Sequence, residues 1–259
     1  MAFIPESRPF APTPTSGTTA GVSIDAGLRA YMVRVYNWMT SGLLLTGIVS
    51  YAVANTSLIN LFYQQVQTPR GLSIQPTILG YAAMFAPLVF VMVLSFGVNK
   101  LSKTAVQGLF WVFAAAMGAS LANIFLIYSG ASIARVFFIT SGTFAAMSLY
   151  GYSTKTDLTK FGSFLIMGLF GVVIASLVNM FIASTALQFA ISIAGVLVFV
   201  GLTAYDTQRI KGDYAQYAYA EGSDGAAKRS VYDALSLYLN FINLFMLLLQ
   251  LFGNRNSNN

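Results

Sequence analysis

The class of this protein follows from one stretch of its sequence, Val196-Leu-Val-Phe-Val-Gly-Leu-Thr-Ala-Tyr-Asp206-Thr-Gln-Arg-Ile-Lys211. The apolar run reaches back to about Leu187, so Asp206 lies where a membrane-spanning helix would leave the hydrocarbon. An Asp near the bilayer centre costs roughly 2.5–3.5 kcal/mol on insertion scales, and less towards the interface. The C-terminal end of a helix also disfavours an anion, because it carries partial negative charge. We therefore expect Asp206 to be a functional residue.

The composition predicts an integral membrane protein. The 259 residues are 56% hydrophobic and only 8% charged, whereas a soluble domain has about 25% charged residues. The net charge of +6 does not indicate a nucleic-acid partner, because the basic residues are scattered along the chain. The chain has no Cys and no His, which excludes disulfides, thiolate metal sites and the usual imidazole pH switch. Any proton sensing must therefore use carboxylates, and no resident cofactor is expected.

Seven apolar segments are each long enough to cross about 30 Å of hydrocarbon as a helix. They are residues 35–54, 77–97, 104–128, 131–152, 161–182, 187–205 and 231–252. The predicted fold is therefore all-α, with seven transmembrane helices in one membrane domain, residues 31–253. A short polar tail, residues 254–259, follows it.

The remaining segments are an N-terminal tail and polar connections between the apolar segments. Residues 1–30 are rich in Pro, Thr, Ser, Gly and Ala, so we expect a disordered cytosolic tail there. Residues 55–76 form an outer connection with room for a short interfacial helix. Residues 212–230 carry five charged side chains and are expected to be a cytosolic loop between the last two helices.

The basic residues predict the orientation of the chain in the membrane. Eleven of them lie on the side of the N-terminus: Arg8, Arg29, Arg34, Lys100, Lys103, Lys155, Lys160, Arg209, Lys211, Lys228 and Arg229. Only Arg70, Arg135 and Arg255 fall on the other side. Because cytoplasmic loops are enriched in Lys and Arg, the N-terminus is expected in the cytosol and, with seven spans, the C-terminus outside.

The last apolar segment carries a polar stripe formed by Asp233, Ser236, Asn240 and Asn243, which share one helix face. Asn240 lies roughly 13 Å along the helix from its cytosolic end. Such a stripe should face protein or a cavity. Antiparallel packing can bring Asp206 close to Asp233 or Asn240. The alternative interpretation is that Asp206 pairs with Arg209 at the interface and that Asn240 is a packing hydrogen bonder.

Four stretches carry a resemblance to a known family. The chain resembles the Bax inhibitor family (transmembrane Bax-inhibitor-motif proteins), in its bacterial branch. The matching stretches are residues 34–43 (RVYNWMTSGL), 148–158 (SLYGYSTKTDL), 199–208 (FVGLTAYDTQ) and 234–245 (ALSLYLNFINLF). They extend over nearly all of the membrane domain, and the last two are specific.

The resemblance implies a seven-helix fold with the C-terminal helix at the centre of the other six, and a pH-sensitive calcium leak. In bacterial members, a pair of aspartates, one near the end of the sixth helix and one in the seventh, shares a proton and closes the pore. The first aspartate matches Asp206, whereas the second falls on Asn240, where this chain departs from the pattern. The supporting arginine of the second helix has no counterpart in the uncharged residues 77–99. Bacterial relatives are also linked to a membrane-bound quality-control protease.

Two functions remain open from the sequence. The first is a cation leak in the bacterial cytoplasmic membrane, with Asp206, Asp233, Asn240 and Asn243 as gate or ion ligands and calcium at Asp206, since oxygen ligands suit a hard cation. The second is a non-transporting regulator that binds a protease or another membrane protein. We expect no enzymatic activity. The chain lacks the His of a serine protease, a Lys in the last helix for retinal, and a second Asp of the intramembrane aspartyl type.

Overall fold

A computed structural model describes residues 16–68, 71–97, 101–217 and 222–255. It is helical apart from one short hairpin. The helices are α1 (Ser16–Ala54), α2 (Ile59–Phe62), α3 (Ile78–Gly97), α4 (Lys103–Leu121), α5 (Ile124–Ile127), α6 (Gly130–Ser153), α7 (Thr159–Ile182), α8 (Thr185–Tyr217) and α9 (Gly222–Phe252). The strands are β1 (Tyr63–Thr68) and β2 (Gly71–Pro76), which pair antiparallel.

The structure confirms the all-α membrane class. Five helical stretches are long and apolar enough to cross a membrane, namely Lys103–Ile127, Gly130–Ser153, Thr159–Ile182, Thr185–Tyr214 and Asp224–Phe252. Ile78–Val93 is a shorter apolar helix. Helix α1 is not among the five, so this criterion does not confirm the count of seven. The polar side chains of α1 lower its hydropathy, and two of them, Thr46 and Ser50, are buried inside the bundle rather than facing lipid.

Helix α9 forms the core of the bundle. More than half of its apolar stretch is buried, and Leu237, Tyr238, Leu244 and Leu249 are fully enclosed. Its extensive contacts are with α1, α4, α6 and α8, whereas α3 packs mainly on α4 and α7 on α8. The C-terminal helix is therefore central, as expected, but four helices rather than six form its immediate surround.

Helix α1 extends further towards the N-terminus than the sequence predicted. It begins at Ser16, so residues 16–30 are helical rather than a disordered tail. The reason is that this extension has a partner surface: Leu28, Tyr31 and Met32 are buried, and the ring of Tyr31 lies 4.8 Å from that of Tyr214 in α8. The composition of the segment did not reveal this packing. The first part of the expected tail, residues 1–15, and the last residues, 256–259, lie outside the described residues.

The two polar connections are more ordered than expected. Residues 55–76 contain the short helix α2, as predicted, and also the β1–β2 hairpin, whose register pairs Tyr63 with Pro76. The expected cytosolic loop is largely helical, since α8 continues to Tyr217 and α9 already begins at Gly222. Buried apolar residues among the charged ones, such as Ile210 and Ala227, keep both helices packed there.

Candidate gate at the contact between α8 and α9

Asp206 meets Asn240 where α8 and α9 cross. The Asn240 side-chain Nδ2 donates a hydrogen bond to Asp206 Oδ2 at 2.7 Å. Both residues are largely shielded, with 14% of the Asp206 side chain and 6% of Asn240 exposed. The structure thus brings together two residues that are 34 positions apart in the chain. This is the contact that antiparallel packing of the last two helices predicted.

Arg209 supplies a positive charge at the same place. Its guanidinium lies 3.0 Å from Asp206 Oδ1, one turn along α8, and its Nη2 donates a long hydrogen bond of 3.5 Å to the Ser236 hydroxyl of α9. Asp206 therefore accepts from Arg209 with one oxygen and from Asn240 with the other. Both contacts considered in the sequence analysis, with Asn240 and with Arg209, are therefore present. A buried charge is tolerated in lipid only when it is paired in this way.

Two close approaches fix the position of α8 beside Asp206. A Cβ added to Gly151 of α6 would lie 2.2 Å from the carbonyl oxygen of Ala204, and one added to Gly162 of α7 would lie 2.3 Å from the Tyr205 ring. Only glycine allows these helices to approach α8 so closely. The two residues that precede Asp206 are therefore held by both neighbouring helices.

The C-terminal part of α8 also contacts the connection between α6 and α7. Gln208 accepts a hydrogen bond from the Leu158 N–H at 2.8 Å and donates one to the Thr156 carbonyl at 2.7 Å. Lys211 donates to the Tyr152 carbonyl at 2.8 Å. From the sequence, residues 206–211 were expected to be the charged end of a membrane helix. In the structure, their side chains form hydrogen bonds that connect α8 to α9 and to the end of α6 and the segment that follows it.

Asp233 and Asn243 do not join Asp206. The carboxylate of Asp233 accepts a 2.5 Å hydrogen bond from the Tyr31 hydroxyl of α1, and both residues are buried. Asn243 is exposed and forms no side-chain hydrogen bond within the described residues. The predicted polar stripe of α9 therefore divides into a contact with α1, a contact with α8 and an exposed amide.

The structure shows two further polar contacts that the sequence reasoning missed. In the middle of the bundle, the hydroxyls of Thr46 and Tyr238 lie 2.7 Å apart, and Thr46 also donates to the Ala114 carbonyl. At the end of the bundle opposite Asp206, an amide cluster links α7, α8 and α9: Asn179 donates to Gln188 at 3.0 Å, and Gln188 donates to Gln250 at 2.9 Å. The signal for this cluster was available, because uncharged amides within apolar helices require partners in lipid.

No resident metal site is formed within the described ranges. Among the residues that the structure describes, no group of three or more His, Cys, Asp or Glu residues is close enough to hold an ion. At the α8–α9 contact, Asp206 contributes a carboxylate and Asn240 an amide. Such a pair can contact a passing cation but does not surround it, since calcium takes six to eight oxygen ligands in a stable site.

These features define a multi-pass membrane protein with a partly buried, charge-paired polar contact at its central helix. The model of the family described as "Inhibitor of apoptosis-promoting Bax1" matches residues 28–257, and the chain belongs to this Bax inhibitor family. It is 47% identical to "Inner membrane protein YbhL" of Escherichia coli K12 over 232 residues, which are 89% of this chain and 94% of the relative. An uncharacterized protein of Rickettsia prowazekii is 46% identical over 92% of this chain and 95% of its own length. An uncharacterized membrane protein of Streptococcus pyogenes is 35% identical, with 88% and 94% covered.

Proposed function

We propose that this protein is a pH-modulated calcium or cation leak of the bacterial cytoplasmic membrane, with Asp206 at its gate. The observation that carries the proposal is the contact of Asp206 with Asn240 between α8 and α9, completed by Arg209. It is a buried polar contact between the central helix and a neighbour. A titratable carboxylate there is a costly feature that packing alone does not require.

The proposed membrane arrangement has seven spans, with the N-terminus in the cytosol and the C-terminus outside. The distribution of basic residues supports it, since eleven of fourteen fall on one side. The printed name of the Escherichia coli relative supports placement in the inner membrane. In this orientation Asp206 lies towards the cytosolic end of α8, so the gate closes the cytosolic side of the pathway.

The chemistry of the gate follows from its partners. With Asp206 bound to both Arg209 and Asn240, its charge is neutralised and the two helices are held together. A cation that enters must compete with Arg209 for the carboxylate. Protonation of Asp206 removes the charge that holds Arg209, so the closed contact depends on pH. The pathway thus opens when the Asp206 contacts with α9 are exchanged for contacts with an ion or water.

The test is calcium flux into proteoliposomes at two pH values, for the native protein and for Asp206→Asn. We expect the native protein to pass calcium and the variant to change both the flux and its dependence on pH. Asp157→Asn is the matched control. Asp157 is an exposed cytosolic acid whose pKa is lowered by hydrogen bonds from the side chain and backbone of Thr159, so this variant also removes one negative charge and should leave flux unchanged.

Two results would contradict the proposal. Absence of flux from the native protein would favour a regulator that binds another membrane protein, such as a quality-control protease. Flux that is identical in the native protein and in Asp206→Asn would remove Asp206 from the gate while leaving transport intact.

A further inference from the structure

A large open groove lies between α1 and α6, with α9 as its floor. Its volume is about 1060 Å³. The α1 wall includes Val33, Leu44 and Ile48, the α6 wall includes Ala145, and Phe241 of α9 lies at the bottom. From Arg29 to Ala52, the two ends of its α1 wall, the groove follows α1 for roughly 35 Å, about the thickness of a bilayer core.

The groove exists because α1 and α6 both pack on α9 without extensive contact with each other. A side chain at Gly47 would meet nothing within 4 Å, so this part of the α1 wall is open. Leu44 and Leu149, one from each wall, are 64% and 68% exposed. In the membrane these surfaces must be covered by lipid or by another helix.

One end of the groove is cationic, and the orientation proposed above places it on the cytosolic side. Arg29 and Tyr152 line this end, which is closed by the last turns of α8: Tyr214 contacts Tyr31 of α1, and Lys211 binds the Tyr152 carbonyl and lies 5.0 Å from the centre of its ring. Arg29 is exposed and forms no ion pair among the side chains that the structure describes, which in α1 begin at Ala26. None of the described lining residues is acidic.

We propose that this groove binds an anionic phospholipid of the cytoplasmic leaflet, with its phosphate at Arg29 and its acyl chains between α1 and α6. Basic pockets between transmembrane helices on the cytoplasmic side suit anionic headgroups. The positive charge at this end of the groove argues against a transmembrane helix of a partner protein as the occupant. Such helices carry Lys and Arg at their cytosolic ends, and these would be repelled by Arg29 and Lys211.

The experiment measures which lipids the purified full-length protein retains. The protein is equilibrated with mixed micelles of phosphatidylglycerol and phosphatidylcholine in equal amounts and with identical acyl chains, and bound lipid is counted by native mass spectrometry. We expect enrichment of phosphatidylglycerol by about fivefold, the factor for one basic side chain near an anionic headgroup. Arg29→Gln should bring the ratio close to one.

Two variants and one control distinguish the contribution of the headgroup contact to lipid binding from that of the apolar groove. Ala145→Trp projects a large side chain into the groove and should reduce the retained lipid of both kinds. Lys160→Gln removes an exposed charge at the start of α7, which does not line the groove, and should keep the native ratio. Both Arg29 and Ala145 are exposed, so neither change removes a core residue.

The proposal is overturned if the native protein shows no preference for phosphatidylglycerol. It is also overturned if the preference persists in Arg29→Gln. A photo-crosslinker placed at Val33 in cells gives the third arm: an adduct with a phospholipid supports the proposal, whereas an adduct with another protein shows that a partner helix occupies the groove. None of these outcomes depends on calcium flux, so the lipid-binding proposal and the proposed gate can be disproved independently.

Discussion

At the scale of single residues, the replacement of an aspartate by Asn240 is the most informative feature of this chain. The family resemblance implies two carboxylates that share a proton. Here the second position holds an amide that donates to Asp206, and Arg209 of the same helix provides the counter-charge. The proposed gate therefore consists of a carboxylate, an amide and a guanidinium, so we expect its response to pH to depend on Asp206.

Asn240→Asp should make the pH response of the leak steeper. Two adjacent carboxylates repel each other when both are ionised, so the variant pair holds one proton over a range of pH. Calcium flux measured against pH in proteoliposomes tests this expectation. Asp233→Asn is the comparison, because Asp233 binds Tyr31 rather than Asp206. A steep native response that neither change alters would show that another group senses the proton.

Tyr31→Phe should destabilise the protein by about 1–3 kcal/mol, because it leaves the buried Asp233 carboxylate without its 2.5 Å donor. Thermal or chemical unfolding in detergent measures the loss. Tyr150→Phe is the matched control, since the Tyr150 side chain is exposed and the loss of its hydroxyl should have little effect. Equal stability of the two variants would mean that the Tyr31–Asp233 hydrogen bond contributes nothing net.

The sequence allowed Asp206 and Asn240 to be paired but not Asp233 and Tyr31. The first pair follows from the polar residues of two consecutive apolar segments, which have to pack antiparallel. The second joins residues 202 positions apart, and Tyr31 stands next to a segment whose composition indicated disorder. Local sequence patterns do not show which helices from distant parts of the chain will pack next to each other.

At the scale of helices, α8 is held by close backbone approaches from α6 and α7. The seven predicted segments correspond to helices because long apolar runs in a membrane have few alternatives. The positions at which the helices begin and end were predicted less well. Charged residues near Ile210 and Ala227 suggested a loop, yet both apolar side chains are buried and the helices continue.

Gly151→Ala should destabilise the bundle by about 1–3 kcal/mol, because its new methyl group would meet the Ala204 carbonyl and force α6 away from α8. Gly142→Ala in the same helix is the control, since a Cβ there meets nothing within 4 Å and gains helix propensity. Unfolding of the two variants in parallel distinguishes the effects. If Gly142→Ala were the more damaging variant, the close approach of α6 to α8 would not be a packing constraint.

At the scale of the whole molecule, the bundle consists of two groups of helices joined by α9. Helices α1, α3 and α4 pack together on one side, and α6, α7 and α8 on the other. The membrane class and the central position of the C-terminal helix could be predicted, the first from composition and the second from the family resemblance. The groove could not be predicted, because it depends on α1 and α6 not packing against each other, and the sequence does not show which helices are in contact.

Cysteines introduced at Ser16 and Ser257 should be labelled from opposite sides of the membrane. The expectation follows from the distribution of basic residues and an odd number of spans. The chain has no native Cys, so a membrane-impermeant maleimide applied to intact cells and to inverted vesicles gives an unambiguous readout. Labelling of both positions from one side would require an even number of spans.

The central position of α9 has a consequence for biosynthesis. The helix that supplies the core is made after the helices that it packs against, and two of its partners lie far back in the chain: Tyr31 pairs with Asp233 across 202 residues, and Thr46 with Tyr238 across 192. Until α9 has been inserted, Thr46 and Asp206 lack their α9 partners inside the membrane. Packing of the core must therefore wait for α9, and the helices made before it spend that interval with unpaired polar groups.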